Sequence, residues 1–104
     1  MTRESEVEKK VCAYAKDKGW LAWKFVCVSM AGVPDRIFMQ GGHVFFIEFK
    51  RPRKRGDSGG KVRRLQEYLI DKIESQGGIP VYRGVDDIKW GKEIIYQHTL
   101  QLKR

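Results

Sequence analysis

Two carboxylates and a lysine stand at a spacing suited to phosphate chemistry: Asp35, then Glu48, then Lys50 two residues further on. Between them, apolar runs flank Gly41-Gly42. Two glycines supply the positive φ that a two-residue turn requires, so residues 35–40 and 43–50 read as a β-hairpin. With these glycines as the turn, Gln40 faces His43, Phe38 faces Phe45, Arg36 faces Ile47 and Asp35 faces Glu48. Opposed residues share a face with Cβ atoms about 4.5–5.5 Å apart, so the two carboxylates lie side by side. Like charges so placed at a partly dry strand end need either a shared proton or a cation. A divalent cation is the economical solution. Mg²⁺ is commonly held by one or two carboxylates together with waters and phosphate oxygens, which makes the pair a half-site for phosphodiester hydrolysis. Lys50 falls on the same strand face as Glu48 and could stabilise developing negative charge or lower the pKa of a water. An ordinary Glu48–Lys50 ion pair at a strand end fits the same pattern.

The elements that must position these groups alternate along the chain. Val7, Val11, Tyr14 and Ala15 recur at helical spacing over 4–18, and Gly19 caps that helix. Residues 20–28 read as a strand, and Ala31 to Pro34 as a turn. Strand residues 43–50 carry apolar side chains on both faces, as in a central strand covered on both sides. Residues 51–60 form a polar loop. Val62, Leu65, Leu69, Ile70 and Ile73 then stripe a helix over 61–76 that Gly77-Gly78 ends. Gln66 falls inside that stripe, where a simple amphipathic helix would place an apolar residue, so it needs a partner. A short edge strand over 79–83, opened by Pro80, precedes a weaker helix over 86–95 interrupted by Gly91; residues 96–104 add a strand or fray. The fold class is α/β, a small mixed central sheet flanked by helices in the order α-β-β-β-α-β-α.

The chain of 104 residues has room for one domain, 1–104. Its 41% hydrophobic and 12% aromatic content argues against disorder. No apolar run is long enough to span a membrane, and the charged first ten residues lack a leader's apolar stretch. The expectation is a soluble protein of the cytoplasm. Cys12 and Cys27 make no metal or disulfide framework and read as buried or idle thiols. Net charge is +8 and unevenly spread: residues 50–64 hold eight of the 21 basic groups and one of the 13 acids. A polyanion, most simply nucleic acid, is the implied partner at that place, with a solvated basic loop as the alternative. Trp20, Trp23 and Trp90 are large aromatics that could stack on bases, although core or interface packing is their commoner use.

Gly32-Val33-Pro34-Asp35, then twelve residues, then Glu48-Phe49-Lys50 resembles the Pro-Asp…(Asp/Glu)-x-Lys motif of the PD-(D/E)xK nuclease superfamily. Within it the chain resembles the virus-type replication-repair nuclease (VRR-NUC) domain in its free-standing form, over about residues 4 to 85. An acidic first helix, the Phe46-to-Lys50 strand and a helical glutamine support the resemblance. It implies a restriction-endonuclease-like core in which Asp35, Glu48 and the carbonyl of Phe49 ligate Mg²⁺ or Mn²⁺, and Lys50 positions or activates the attacking water. It also implies a first-helix acid facing the metal. Glu4 and Glu8 share a helical face, and Glu8 is the favoured one. Gln66 would lie beside the active site. Arg51, Arg53, Lys54 and Arg55, with Lys61, Arg63 and Arg64 beyond, would grip DNA on either side of the cut bond. The implied activity is metal-dependent endonucleolytic DNA hydrolysis by a homodimer on branched DNA such as Holliday junctions, in phage or bacterial DNA repair. A structure-selective nickase or flap nuclease, or a non-catalytic basic DNA-binding module, are the competing readings.

Overall fold

Gly41 and Gly42 take φ of 54° and 84°, and the two-residue turn they form sets the register of everything around it. In the computed structural model, which describes residues 4–26, 33–50 and 60–102 and side chains within 6–26, 33–50 and 65–102, seven elements follow in order. They are α1 (Glu4–Asp17), β1 (Leu21–Lys24), β2 (Arg36–Gln40), β3 (His43–Phe49), α2 (Gly60–Gly77), β4 (Val81–Val85) and α3 (Ile88–Gln101). The strands form one sheet in the order β1-β2-β3-β4. β1 to β3 pair antiparallel and β4 joins β3 in parallel. The sheet is therefore mixed, and β3 is paired on both sides.

Each face of the sheet has its own core. On one side, Val7, Val11 and Ala15 of α1 and Ile94 and Ile95 of α3 pack against Phe38, Phe45, Ile47, Phe49 and Val85. Phe38 stacks on Phe45 at 5.0 Å, and Trp20 meets Phe45 edge-on at 5.1 Å. The indole N–H of Trp20 donates to Thr99 Oγ1 at 3.0 Å, which joins the chain after α1 to α3. On the other side, Ile70 of α2 is buried with Phe46 and Val81, with Ile37, Val44 and Ile73 packed around them. Arg83 adds exposed ion pairs to Asp71 and Glu74, at 2.6 and 2.7 Å, between β4 and α2.

Several elements differ from the sequence reading, each for a local reason. Of the strand expected over 20–28, the described residues form β1 over Leu21–Lys24, with Phe25 N–H still donated to Asp35 O, while Trp20 is drawn into the core beneath α3; residues 27 and 28 lie outside the described residues. Gly91 does not interrupt the last helix. A Cβ there would collide with Val11, so glycine permits the close crossing of α1 and α3. α3 consequently runs through the segment expected to form a strand or fray, starting from Asp87, whose carboxylate caps the N–H groups of Lys89 and Trp90. Leu65, placed in the buried stripe of α2, is 40% exposed. Among the described residues, no helix is long and apolar enough to cross a membrane.

Candidate active site

The β2–β3 ladder has the register expected from the glycine turn, with Gln40 opposite His43, Phe38 opposite Phe45 and Arg36 opposite Ile47. Asp35 immediately precedes β2, and the same register continued by one step would set it opposite Glu48. Both carboxylates are buried, at 8% and 9% exposure. Asp35 Oδ2 accepts the backbone N–H of Phe49 at 2.8 Å, while its own carbonyl accepts the N–H of Phe25 at 2.8 Å. Its carboxylate thus takes the place of a ladder acceptor and holds the end of β3 in position. Glu48 lies between Ile47 and Phe49, which both belong to the α1/α3 core. Alternation therefore turns it to the face that α2 covers.

Lys50 follows directly beyond β3 and is exposed, with its backbone N–H donated to Val85 O at 3.0 Å. The ladder with β4 thus continues through the lysine while its side chain reaches solvent. β4 absorbs an extra residue here: Ile47 pairs with Tyr82 but Phe49 with Val85, and Gly84 has φ of 68°. α2 joins two parallel strands, so it must run back against β3 and bring its N-terminal half toward the Glu48 end. Gln66 is half-buried there, one turn before Ile70 on the helix face that Ile70 and Ile73 share. The fold thus brings Asp35, Glu48, Phe49 and Lys50 to one end of the sheet.

Glu8 stands apart from that group. Its Oε2 accepts Arg36 Nε at 2.6 Å, and Arg36 also donates to Ala22 O at 3.3 Å. Both side chains of this ion pair are mostly buried, at 24% exposure for Arg36 and 16% for Glu8. Burial works against the Arg36 charge, but the bond to Glu8 and the nearby carboxylates outweigh it, so the guanidinium pKa is raised. Among the described residues, no three His, Cys, Asp or Glu side chains are gathered closely enough to hold a metal. The three-carboxylate set of Glu8, Asp35 and Glu48 is therefore not assembled, because α1 offers Glu8 to a guanidinium instead. The side chain of Glu4 lies outside the described residues.

Arg36 is the residue the sequence reading passed over. It shares a strand face with Phe38, the face that α1 covers, and a charge on such a face requires a carboxylate from the covering helix. Arg51, Arg53, Lys54 and Arg55, and the side chains of Lys61, Arg63 and Arg64, lie outside the described residues, as does Cys27. Cys12 is buried, and burial raises its thiol pKa. Trp20 is a core residue, whereas Trp23 and Trp90 are 57% and 41% exposed and do not belong to the core.

Comparison with known proteins places the architecture. No protein-family model matches the chain. A curated protein, "Putative nuclease p44" of Acyrthosiphon pisum secondary endosymbiont phage 1, is 36% identical over 53 residues, which is 50% of this chain and 57% of that protein. The chain thus spans little more than half the length of that relative. A solved structure described as "VRR_NUC domain" superposes with a TM-score of 0.70 at 19% identity, covering 94% of this chain and 99% of the other. Near-complete coverage in both directions means that the whole α-β-β-β-α-β-α order with its mixed sheet is shared, and this chain has the fold of a VRR_NUC domain.

Proposed function

We propose that this chain is a metal-dependent endonuclease that hydrolyses DNA phosphodiester bonds, with branched DNA such as Holliday junctions as its substrate. The observation that carries the reading is the buried Asp35–Glu48 pair at the end of the central strand, followed immediately by exposed Lys50. The nuclease named in the phage relative supports it. The donor set fits Mg²⁺ or Mn²⁺: two adjacent carboxylates and the carbonyl of Phe49 offer hard oxygen ligands, and Mg²⁺ is commonly bound through one or two carboxylates while keeping waters. When bound, the ion would polarise a phosphoryl oxygen and lower the pKa of a water.

The chain's own residues then have separable tasks. Asp35, held by the Phe49 amide, keeps its carboxylate fixed relative to Glu48. Lys50 places a positive charge beside the phosphate and orients the nucleophilic water. Gln66 supplies an amide that can hydrogen-bond that water or the lysine. The basic run from Arg51 to Arg64 leads away from Lys50 in sequence and grips the backbone on either side of the cut bond, giving affinity without direct base readout. A second copy would supply the second cut at a junction, and exposed Leu21 and Trp23 on edge strand β1 offer an apolar surface for it. The setting is the cytoplasm of a bacterial or phage-infected cell.

The test is nicking of supercoiled plasmid and of synthetic four-way junctions, flaps and nicked duplex with Mg²⁺, Mn²⁺ or EDTA, for wild type and Glu48→Gln. Cleavage that needs the metal and Glu48 supports the reading. Metal-independent or Glu48-independent behaviour overturns it in favour of a DNA-binding module, and the substrate panel separates junction resolution from nicking and flap cutting.

A further inference from the structure

We infer that the Glu8–Arg36 ion pair is a positioning device for Asp35, so that the first helix contributes a counter-charge beside the site. The role of Asp35 rests on the reading above; the rest is geometry. Asp35 and Arg36 are consecutive. The backbone carbonyl of Asp35 is tied to Phe25 and its carboxylate to Phe49. Immediately after it, the Arg36 side chain reaches α1 through Glu8 and β1 through Ala22 O. One residue thus fastens helix, edge strand and hairpin at the peptide next to the Asp35 carboxylate. The pair is too buried for water to replace either partner fully, so loss of Glu8 leaves the guanidinium to turn toward the neighbouring Asp35 carboxylate and draw it away from Phe49. A displacement of about 1 Å at a catalytic group can cost roughly a hundredfold in rate.

The full-length protein carrying Glu8→Gln, Arg36→Gln, or the reciprocal Glu8→Arg with Arg36→Glu tests this. Three quantities are read: kcat and KM on a four-way junction, Mn²⁺ affinity by calorimetry, and exchange of the Phe49 amide in the metal-free protein. If the pair positions Asp35, both single variants lose kcat by about ten- to a hundredfold with KM little changed. Phe49 exchanges faster in both, Mn²⁺ still binds, and the reciprocal double variant recovers activity beyond the product of the single effects. If Glu8→Gln instead abolishes Mn²⁺ binding while Phe49 exchange is unchanged, or if Arg36→Gln is as active as wild type, the inference is overturned. Should the wild type cut no DNA, the endonuclease reading fails, and the Phe49 exchange and Mn²⁺ titrations still decide the positioning role.

Discussion

Asp35 reaches across the end of the hairpin to accept the backbone N–H of Phe49, so a side chain completes a ladder that the backbone of β2 does not. The bond combines a structural duty with a chemical one in the same carboxylate, and the two can be separated by substitution. Asp35→Asn keeps an acceptor for Phe49 and removes the charge; Asp35→Ala removes both. We expect Asn to leave urea stability within about 1 kcal/mol of wild type, whereas Ala leaves a buried N–H without its acceptor at a cost of about 1–3 kcal/mol. DNA nicking is abolished in both. A stable, active Asp35→Asn would contradict the assignment.

Gly91 tests the crossing of α1 and α3. Gly91→Ala drives a methyl into Val11, and overpacking of this kind typically costs about 1–3 kcal/mol even though alanine is the better helix former. Gly91→Ala combined with Val11→Ala should regain part of the stability. Denaturant midpoints of the three variants give the answer.

His98 predicts how stability responds to acid. It is buried, stacks on Phe45 at 4.0 Å, and shares a 2.7 Å hydrogen bond between Nε2 and the Tyr82 hydroxyl. Burial, assisted by nearby His43, holds its pKa below the ordinary 6.5. The unfolded chain therefore takes up the proton first, so this contribution is complete above the unfolded pKa and is lost as pH falls toward the folded one. Melting temperature should fall between about pH 7 and pH 5, and His98→Leu, less stable at neutral pH, should show a shallower decline over that range. An unchanged slope would mean that other groups dominate.

Neutralising Arg53, Lys54 and Arg55 together should weaken binding to duplex arms and flatten its salt dependence, by roughly 0.9 in log-log slope for each phosphate that no longer meets a cation. Fluorescence anisotropy at several salt concentrations measures this directly. A slope equal to wild type would place the phosphate-binding cations elsewhere on the molecule.

How much of this was legible in the residues varied with the physics involved. The hairpin register was, because two glycines leave few ways to turn and a one-residue slip would flip Phe38 and Phe45 out of the core. The helical stripes likewise marked α1 and α2. Gly91 was misread because propensity treats it as a breaker, while its role depends on Val11 from a distant helix. The Glu8–Arg36 bond is not legible from spacing, because 28 residues separate the two and only the packing of α1 on the sheet joins them. The start of β1 at Trp20 is not legible because aromatic residues have high strand propensity whether they pair or fill a core, as Trp20 does.

The Gly41-Gly42 turn lies at the far end of β3 from Lys50, separated by a seven-residue strand, or roughly 20 Å at about 3.3 Å per residue. Chemistry and turn are thus mechanically remote poles of one rod. A side chain at Gly42 would meet nothing within 4 Å, and one at Gly41 only the end of Leu102, yet φ of 84° and 54° strains any L residue at either position, so it is the backbone and not the space that reserves this tip for glycine. The pole that sets the register is therefore separate from the pole that carries the chemistry, and a substitution at the turn can reach the carboxylates only by shifting the whole strand.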